Sequence, residues 1–356
     1  MSAGSIDIVP VAGRGGIPLT DVGAVALNVT VVRPSMAGHI SVYPTGGSPP
    51  TASSLNFAAG QTIPNMVLSK LGSDGSISII NASGAVDVVI DVVGWFPSTG
   101  GYGSLTPARI VDTRPGGPVT IDGGWQGIGA IGARQSLAVS VLGRGGVPAI
   151  GVSAVAVNFV AVEAGAAGHL TVYPGGSAKP NASNLNFVGG QTIANMVIAK
   201  VGSDGTIMIA NGSPLPTHVV VDVVGWFAAN SQFTSLDPAR LLESRDSPTI
   251  DGRERNIGPI AGGQRVAFTI AGRGGVPLTG ARAVALNVTV VGPSTSGYVT
   301  VFASGGTVPK VSSLNFVAGQ IIPNMVIAEV GTDGKVSLFN SAGSTPVVVD
   351  VVGWFS

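Results

Sequence analysis

Residues 88–101, VVIDVVGWFPSTGG, form a continuous apolar stretch with a single carboxylate, Asp91, set among the valines. Nearly the same string returns as VVVDVVGWFAANS at residues 219–231 and as VVVDVVGWFS at residues 347–356. Other strings keep this step of about 130 residues, among them AGRGGIPLT, LGRGGVPAI and AGRGGVPLT. Because a repeat of this length has the usual size of an independent domain, we expect three domains in tandem, at residues 1–97, 104–228 and 235–356.

The composition predicts an all-β fold. The chain contains 54 Gly and 24 Pro, and Val, Ile, Thr and Phe crowd the segments between them. In the second copy we expect strands at residues 108–112, 137–141, 154–160, 169–173, 184–188, 196–201, 206–210 and 219–227. Asp-Gly pairs such as Asp74-Gly75 predict β-hairpins. The number and spacing of the strands favour three tandem antiparallel β-sandwich domains, jelly-roll or immunoglobulin-like.

Charge and cysteine content narrow the classes of partner. The chain has 18 basic and 18 acidic residues, which is too balanced for a nucleic-acid or anionic membrane surface. It has no cysteine, which excludes disulfides and thiol chemistry. We expect no transmembrane segment, because carboxylates interrupt the longest apolar strands. We also expect no signal peptide within this chain, since MSAGSIDIVP has neither a basic nor an apolar leader region.

The carboxylate in each closing strand predicts a structural charge clamp. Asp91 and its equivalents Asp222 and Asp350 need a partner, because an isolated buried carboxylate would protonate. LTPARIVDTR and LDPARLLESR supply candidate donors, namely Arg109, Arg114, Arg240 and Arg245, and the GRGG turns add Arg144 and Arg273. We therefore expect an arginine or nearby backbone N–H groups to bind the carboxylate and join the first and last strands of a domain.

A comparison of the three copies around this carboxylate argues against catalysis. Four residues before the carboxylate the sequence has Asp87, His218 or Pro346, whereas acid–base chemistry needs a second group of fixed type. We predict that the protein is not an enzyme, and an active site confined to one copy is the third-ranked hypothesis. With three histidines and no metal-binding or nucleotide-binding string, we expect no metal and no cofactor.

One alternating strand per copy offers a candidate binding face. The pattern aromatic-polar-aromatic recurs as His39, Ser41 and Tyr43, as His169, Thr171 and Tyr173, and as Tyr298, Thr300 and Phe302. Such a row could stack on sugar rings or on a neighbouring protein, and it could equally pack under a loop of its own domain. Asparagines that recur beside apolar runs, such as Asn65, Asn195 and Asn324, are expected to fix loops over the sheet ends.

The order of the conserved blocks within the chain resembles a known module. GRGGVP, LNVT, SNLNF, GQ and NMV, followed by DVVGWF and LTPARIVDTR, resemble a tandem β-repeat of about 130 residues from exported actinobacterial and related bacterial proteins. LESR, with Glu243 and Ser244, departs from the usual LDTR opening of that module. The resemblance covers nearly the whole chain and implies export and a non-catalytic accessory or surface role. The module has no established ligand, so the resemblance assigns no functional residues.

The first copy starts without an LTPAR…DTR segment, and the third ends at GWFS. If the segment completes the copy after it, the first copy lacks an opening strand; if it completes the copy before it, the third copy lacks one. An open sheet edge can accept a strand from another chain. The sequence therefore indicates either part of a longer array or end-to-end strand exchange between chains.

These patterns together predict a non-catalytic structural or adhesive protein, extracellular or at the cell surface. Its expected partners are copies of itself or another surface protein. The alternative is a lectin-like module that binds glycan or cell wall and accompanies secreted enzymes.

Overall fold

The computed structural model describes residues 1–356 and consists of strands and turns, without α-helices. The all-β prediction is confirmed. Each strand expected in the second copy is present, with its ends shifted by a few residues. None of the elements is a helix with the length and apolarity needed to cross a membrane.

The strands fall into three repeats. Repeat 1 contains β1 (Ile6–Pro10), β2 (Val22–Val32), β3 (Gly38–Pro44), β4 (Leu55–Phe57), β5 (Ile63–Lys70), β6 (Ser76–Asn81) and β7 (Asp87–Pro97). Repeat 2 contains β8 (Tyr102–Asp112), β9 (Ser136–Ser140), β10 (Val152–Val162), β11 (Gly168–Pro174), β12 (Leu185–Phe187), β13 (Ile193–Lys200), β14 (Thr206–Asn211) and β15 (His218–Ala228). Repeat 3 contains β16 (Phe233–Glu243), β17 (Ile260–Ala261), β18 (Arg265–Thr269), β19 (Ala283–Val291), β20 (Gly297–Ala303), β21 (Leu314–Phe316), β22 (Ile321–Glu329), β23 (Lys335–Asn340), β24 (Ser344–Thr345) and β25 (Val347–Phe355).

Each repeat contributes two antiparallel sheets. The outer sheets have the orders β1-β6-β3-β4, β9-β14-β11-β12 and β18-β23-β20-β21. The inner sheets have the orders β5-β2-β7, β13-β10-β15-β8 and β22-β19-β25-β16, and β17 pairs separately with β24. The inner sheet of repeat 1 is therefore one strand narrower than its two equivalents.

The opening segment belongs to the repeat that follows it. Strand β8 pairs with β15, and β16 pairs with β25, so LTPARIVDTR and LDPARLLESR complete repeats 2 and 3. In repeat 1, β7 pairs with β2 alone. Of the two interpretations of the sequence, the first is the one that the strand pairing supports.

The predicted three tandem β-sandwich domains are wrong. The six main sheets form one body, because the three inner sheets share a buried cluster and are joined by buried hydrogen bonds. The inner sheets carry apolar residues on both faces, and the face turned from the outer sheet packs against the other repeats. One buried cluster holds residues from all three inner sheets, including Met66, Met196 and Met325. A chain of separate domains would leave this face in water.

Three phenylalanines mark a pseudo-threefold axis through this cluster. The ring centroids of Phe96, Phe227 and Phe355, which follow the Trp of each GWF string, lie 5.9, 6.0 and 6.3 Å apart. Equivalent residues of the three repeats thus form a nearly equilateral triangle. The repeats are related by rotation about one axis rather than by translation along a line.

A ring of buried amides closes the three repeats on one another. Asn65 donates from Nδ2 to Oδ1 of Asn158, Asn195 donates to Asn287, and Asn324 donates to Asn28, each at 2.9 Å. The Oδ1 atoms of the same three donors accept the backbone N–H groups of Met196, Met325 and Met66 at 2.9, 3.2 and 3.0 Å. Because the third link returns from repeat 3 to repeat 1, the contact forms a closed cycle.

A β-bulge in each closing strand changes the side on which its last residues lie. Ala26 pairs with Gly94 and Leu27 pairs with Val92, which leaves Val93 as the extra residue. Alternation predicts Ile90, Val92 and Phe96 on one face, and this prediction is wrong for Phe96. Ile90 and Val92 pack toward the outer sheet, whereas Phe96 packs at the axis.

The Asp-Gly pairs do not make hairpins within a sheet. Asp74 and Gly75 join β5 of the inner sheet to β6 of the outer sheet. Gly75 has φ +74°, and the Asp74 carboxylate accepts the backbone N–H of Ser76 at 3.0 Å. The local turn chemistry is the expected one, but the two strands belong to different sheets.

Candidate functional site

The closing strands of repeats 2 and 3 hold their carboxylates in buried ion pairs. Arg109 on β8 donates to both oxygens of Asp222 on β15, at 2.9 and 3.2 Å, and Asp222 is fully buried. Arg240 on β16 donates in the same way to Asp350 on β25, at 2.9 and 3.3 Å. Burial raises the pKa of Asp222, while the hydrogen bonds and charge of Arg109 act in the opposite direction. The opening strand therefore brings its own cation to the buried carboxylate.

Arg114 and Arg245 do not bind these carboxylates and instead close the turn after the opening strand. Arg114 donates to Asp112 at 2.9 and 2.7 Å, and Arg245 donates to Glu243 at 2.9 and 3.0 Å. Burial alone would raise the pKa of Asp112, but the hydrogen bonds from Arg114 outweigh it and hold that pKa below its ordinary value. Arg109 also lies 3.5 Å from Asp112, and Arg240 donates to Glu243 at 3.2 Å, so the predicted clamp is one connected network of two arginines and two carboxylates in each complete repeat.

In repeats 2 and 3, the arginine of the GRGG turn reaches the opening segment. Arg144 donates to the backbone oxygen of Ile110 on β8 at 2.7 Å and to Asp122 in the loop that follows β8. Arg273 donates to the backbone oxygen of Leu241 at 2.9 Å and to Asp251 at 2.7 Å. The hydrogen bonds from the arginines lower the pKa of Asp122 and of Asp251 to about 2.

Repeat 1 has the residues equivalent to Asp222 and Arg144, but it lacks the opening strand to which those residues bind in repeat 2. Asp91 occupies the place of Asp222, yet it accepts no hydrogen bond and forms no ion pair. Burial raises its pKa, and no cation offsets the effect. Arg14, the equivalent of Arg144, donates only to the backbone oxygen of Pro10, at 3.0 Å.

The outer edge of β7 is consequently open to solvent. Val89, Val93 and Trp95 are 48%, 37% and 37% exposed. The equivalents of the two valines on β15, Val220 and Val224, are buried at 3% and 5% exposure, whereas Trp226, the equivalent of Trp95, is half-buried. The two valines are therefore buried where a fourth strand is present and exposed where it is not.

Two cavities lie along this edge at the contact between repeats 3 and 1. One of about 350 Å³ is lined by Trp95, Phe96 and Phe355 among others. The second, of about 190 Å³, is lined by Asn28, Asp91 and Ser312 among others. At the equivalent position between repeats 1 and 2, the cavity lined by Pro107, Asn158 and Asp222 is only about 10 Å³, and a separate cavity of about 240 Å³ lies farther along that contact, beside Arg109 and Arg114. The opening strand accounts for the difference, because Pro107 of β8 lies in that contact.

The candidate binding face is not an open surface. Tyr43, Tyr173 and Phe302 are only 2%, 7% and 6% exposed, and His39 and His169 are half-buried. Loops lie over the row, since Ser41, Thr171 and Thr300 donate to the backbone oxygens of Ala52, Ala182 and Val311. Burial lowers the pKa of both histidines. Tyr298, at 39% exposure, is the one accessible aromatic of the set.

Reasoning from the sequence missed three buried asparagines that link neighbouring repeats. Asn28, Asn158 and Asn287 lie in the middle of β2, β10 and β19, each opposite the carboxylate of the closing strand. The Oδ1 atom of each accepts a hydrogen bond from Asn324, Asn65 or Asn195 of the amide ring. The Nδ2 atom of each donates to the backbone oxygen of a serine in a neighbouring repeat, Ser312, Ser53 or Ser183. A polar residue at the same place in three apolar strands was the available signal. It indicated a buried partner outside the repeat.

Comparisons with known proteins leave the family open. No protein-family model matches the chain, and no curated protein matches it. One structure of Sulfolobus Turreted Icosahedral Virus aligns at 9% identity and a TM-score of 0.23, covering 98% of this chain and 82% of that chain. Another, on the triple jelly roll fold and turret assembly in an archaeal virus, aligns at 10% identity and a TM-score of 0.22, with the same coverage. Similarities this low support no conclusion about fold or function.

Proposed function

We propose that the protein is a non-catalytic structural or adhesive component of the cell exterior that associates with other chains through β7. The single observation that supports this is the unpaired edge of an eleven-residue strand, with Val89, Val93 and Trp95 exposed beside it. Such an edge presents free backbone N–H and C=O groups in a row, which is a template for a strand of another chain.

The edge carries little of the protection that natural proteins give to free strands. Edge strands are usually short, or they carry lysine, proline or a bulge that discourages pairing. Strand β7 has a bulge at Val93 and a proline at its last position, but it has no lysine. Its charges are Asp87 and Asp91, which would attract a cationic partner strand rather than repel every strand.

Location outside the cell is part of the proposal and is supported by the resemblance to an exported repeat module. Glycan binding is not proposed, because loops cover most of the aromatic row on which it would depend. The partners proposed are copies of the chain or another surface protein.

Light scattering after size-exclusion chromatography, over a concentration series, tests association. We expect species above the 35.2 kDa chain mass that grow with concentration. Val93→Lys should abolish them, because it places a charge on the open edge. Ile150→Lys is the matched control, since Ile150 is 85% exposed on a turn of repeat 2 and should leave the assemblies unchanged. A wild-type chain that stays at its own mass throughout would refute self-association.

A further inference from the structure

We propose that the β7 edge is an acceptor for one particular kind of β-strand, supplied by another polypeptide. That strand begins with an aromatic residue. Counted from this residue, a leucine follows three positions later, a proline five positions later and an arginine seven positions later. This inference rests on the proposed function, because it specifies the partner at the same edge. The two complete repeats show what each of the four side chains would meet.

The arginine position is defined by Asp91. In repeats 2 and 3 the equivalent carboxylates each accept hydrogen bonds from Nε and Nη2 of an arginine on the opening strand, at 2.9 to 3.3 Å. Asp91 lies on the same face of its strand, opposite Asn28, and has no such partner. A planar guanidinium matches a carboxylate better than an ammonium does, so the edge favours arginine over lysine.

The proline position is defined by the cavity at Asp91. Pro107 lines a cavity of only about 10 Å³ in the contact between repeats 1 and 2. The equivalent contact between repeats 3 and 1 has about 190 Å³, bounded by Asn28, Asp91 and Ser312, the counterparts of Asn158, Asp222 and Ser53. The extra space is sufficient for a proline ring and part of the backbone that carries it.

The aromatic position is defined by the phenylalanine triangle. Tyr102 packs on Phe96 and Phe227, with centroid distances of 4.5 and 4.8 Å. Phe233 packs on Phe227 and Phe355 at 4.4 and 4.8 Å. The third side of the triangle, between Phe355 and Phe96, borders the cavity of about 350 Å³ and has no ring against it.

The leucine position is defined by the GRGG turn. Leu105 packs against Gly146, and Leu236 packs against Gly275, in repeats 2 and 3. Nothing lies against the equivalent Gly16 of repeat 1. Arg14 on the same turn is also free to bind a backbone oxygen of an incoming strand, as Arg144 binds that of Ile110.

The required pattern occurs twice in this chain, at residues 102–109 and 233–240. Both segments are already paired, with β15 and β25. Neither segment is thus available to β7 of its own chain. Donation by a second copy would require that copy to open one of its own sheets.

A synthetic peptide of residues 101–114, GYGSLTPARIVDTR, tests the acceptor when it is labelled with fluorescein and titrated with the full chain. We expect saturable binding of one peptide per chain. Either Arg109→Ala in the peptide or Asp91→Asn in the protein should weaken it at least tenfold, which is about 1.4 kcal/mol. The two changes together should weaken it no further than either alone, because they remove the same ion pair. Circular dichroism confirms that the Asp91→Asn protein is folded.

The outcomes separate this inference from the proposed function. Equal binding of the native, Arg109→Ala and scrambled peptides would overturn the inference. Chains that associate through the Val93 edge, yet neither bind the native peptide nor are dispersed by it, would also overturn it while leaving the proposed function intact. Peptide binding to a chain that stays at 35.2 kDa supports the acceptor and identifies a different protein as the donor. Dispersal of assemblies by the peptide supports it and identifies a second copy as the donor.

Discussion

Replacing Arg109 with methionine should lower the free energy of unfolding by about 3–5 kcal/mol, the usual cost of removing one partner of a buried ion pair. Arg109 is 6% exposed and donates to Asp222 at 2.9 and 3.2 Å. A hydrogen bond to a charged group contributes about 1.5–3 kcal/mol, so the loss of two agrees with this range. Asp222 would remain fully buried without a cation, while methionine keeps most of the apolar contacts.

Two further variants separate the ion pair from general damage to the strand. Arg109→Met combined with Asp222→Leu should recover most of the loss, because no unpaired charge is left in the core. Asp91→Asn should cost no stability, since Asp91 is half-buried and has no partner to lose. The two aspartates occupy equivalent positions, so their difference isolates the effect of the opening strand.

Urea unfolding, followed by tryptophan fluorescence and circular dichroism, measures these changes from the transition midpoint and slope. Trp226 on β15 lies four residues beyond Asp222 and reports the region directly. A loss below about 1 kcal/mol for Arg109→Met would refute the assignment of a stabilising role to the pair. A loss that persists undiminished in the double variant would show that packing, not charge, is responsible.

Three further predictions concern the amide ring, the phenylalanines at the pseudo-threefold axis and the stability of the protein at acid pH. Asn195→Ala should lower the free energy of unfolding, measured by thermal unfolding, by about 3 kcal/mol, because it leaves buried hydrogen-bond donors and acceptors of two repeats without partners. A loss under about 1 kcal/mol would contradict a stabilising role of the amide ring. Phe227→Ala should cost about 3–5 kcal/mol, and Phe96→Ala less, because the Phe227 ring packs on two opening-strand aromatics and the Phe96 ring on one. The pKa of Asp122 is lowered from 3.8 to about 2 by Arg144, so the stability from this pair is complete above pH 4 and is lost as the pH falls toward 2. Melting temperatures from pH 6 to pH 2 should therefore decline less below pH 4 in Asp122→Asn than in the wild type.

Local patterns in the sequence were sufficient to locate the strands and the buried carboxylates. Alternation and glycine spacing gave each strand of the second copy, and a charge among valines implied a partner such as Arg109. These features depend on residues near one another in the chain or on a single long-range pair. The same reasoning identified the opening segment and the possibility of an open edge, although it left open which repeat owned the segment.

The arrangement of the repeats could not be obtained in the same way. An apolar strand face has the same composition whether it packs on its own outer sheet or on another repeat, so Met66 and Ala26 gave no sign of the axis. The bulge at Val93 also reversed the side on which Phe96 lies, and simple alternation has no means of detecting it. Asn28 was the residue that carried information about closure, because a buried amide in an apolar strand requires a partner.

The closed amide cycle restricts how such a protein can change during evolution. In a linear array, a duplication or deletion of one unit leaves every remaining interface intact, and array length drifts freely. Here the loss of one repeat would leave a buried Asn donor facing solvent or a cavity, and a fourth repeat has no position around a threefold axis. Copy number can therefore change without loss of the fold only in complete sets of three.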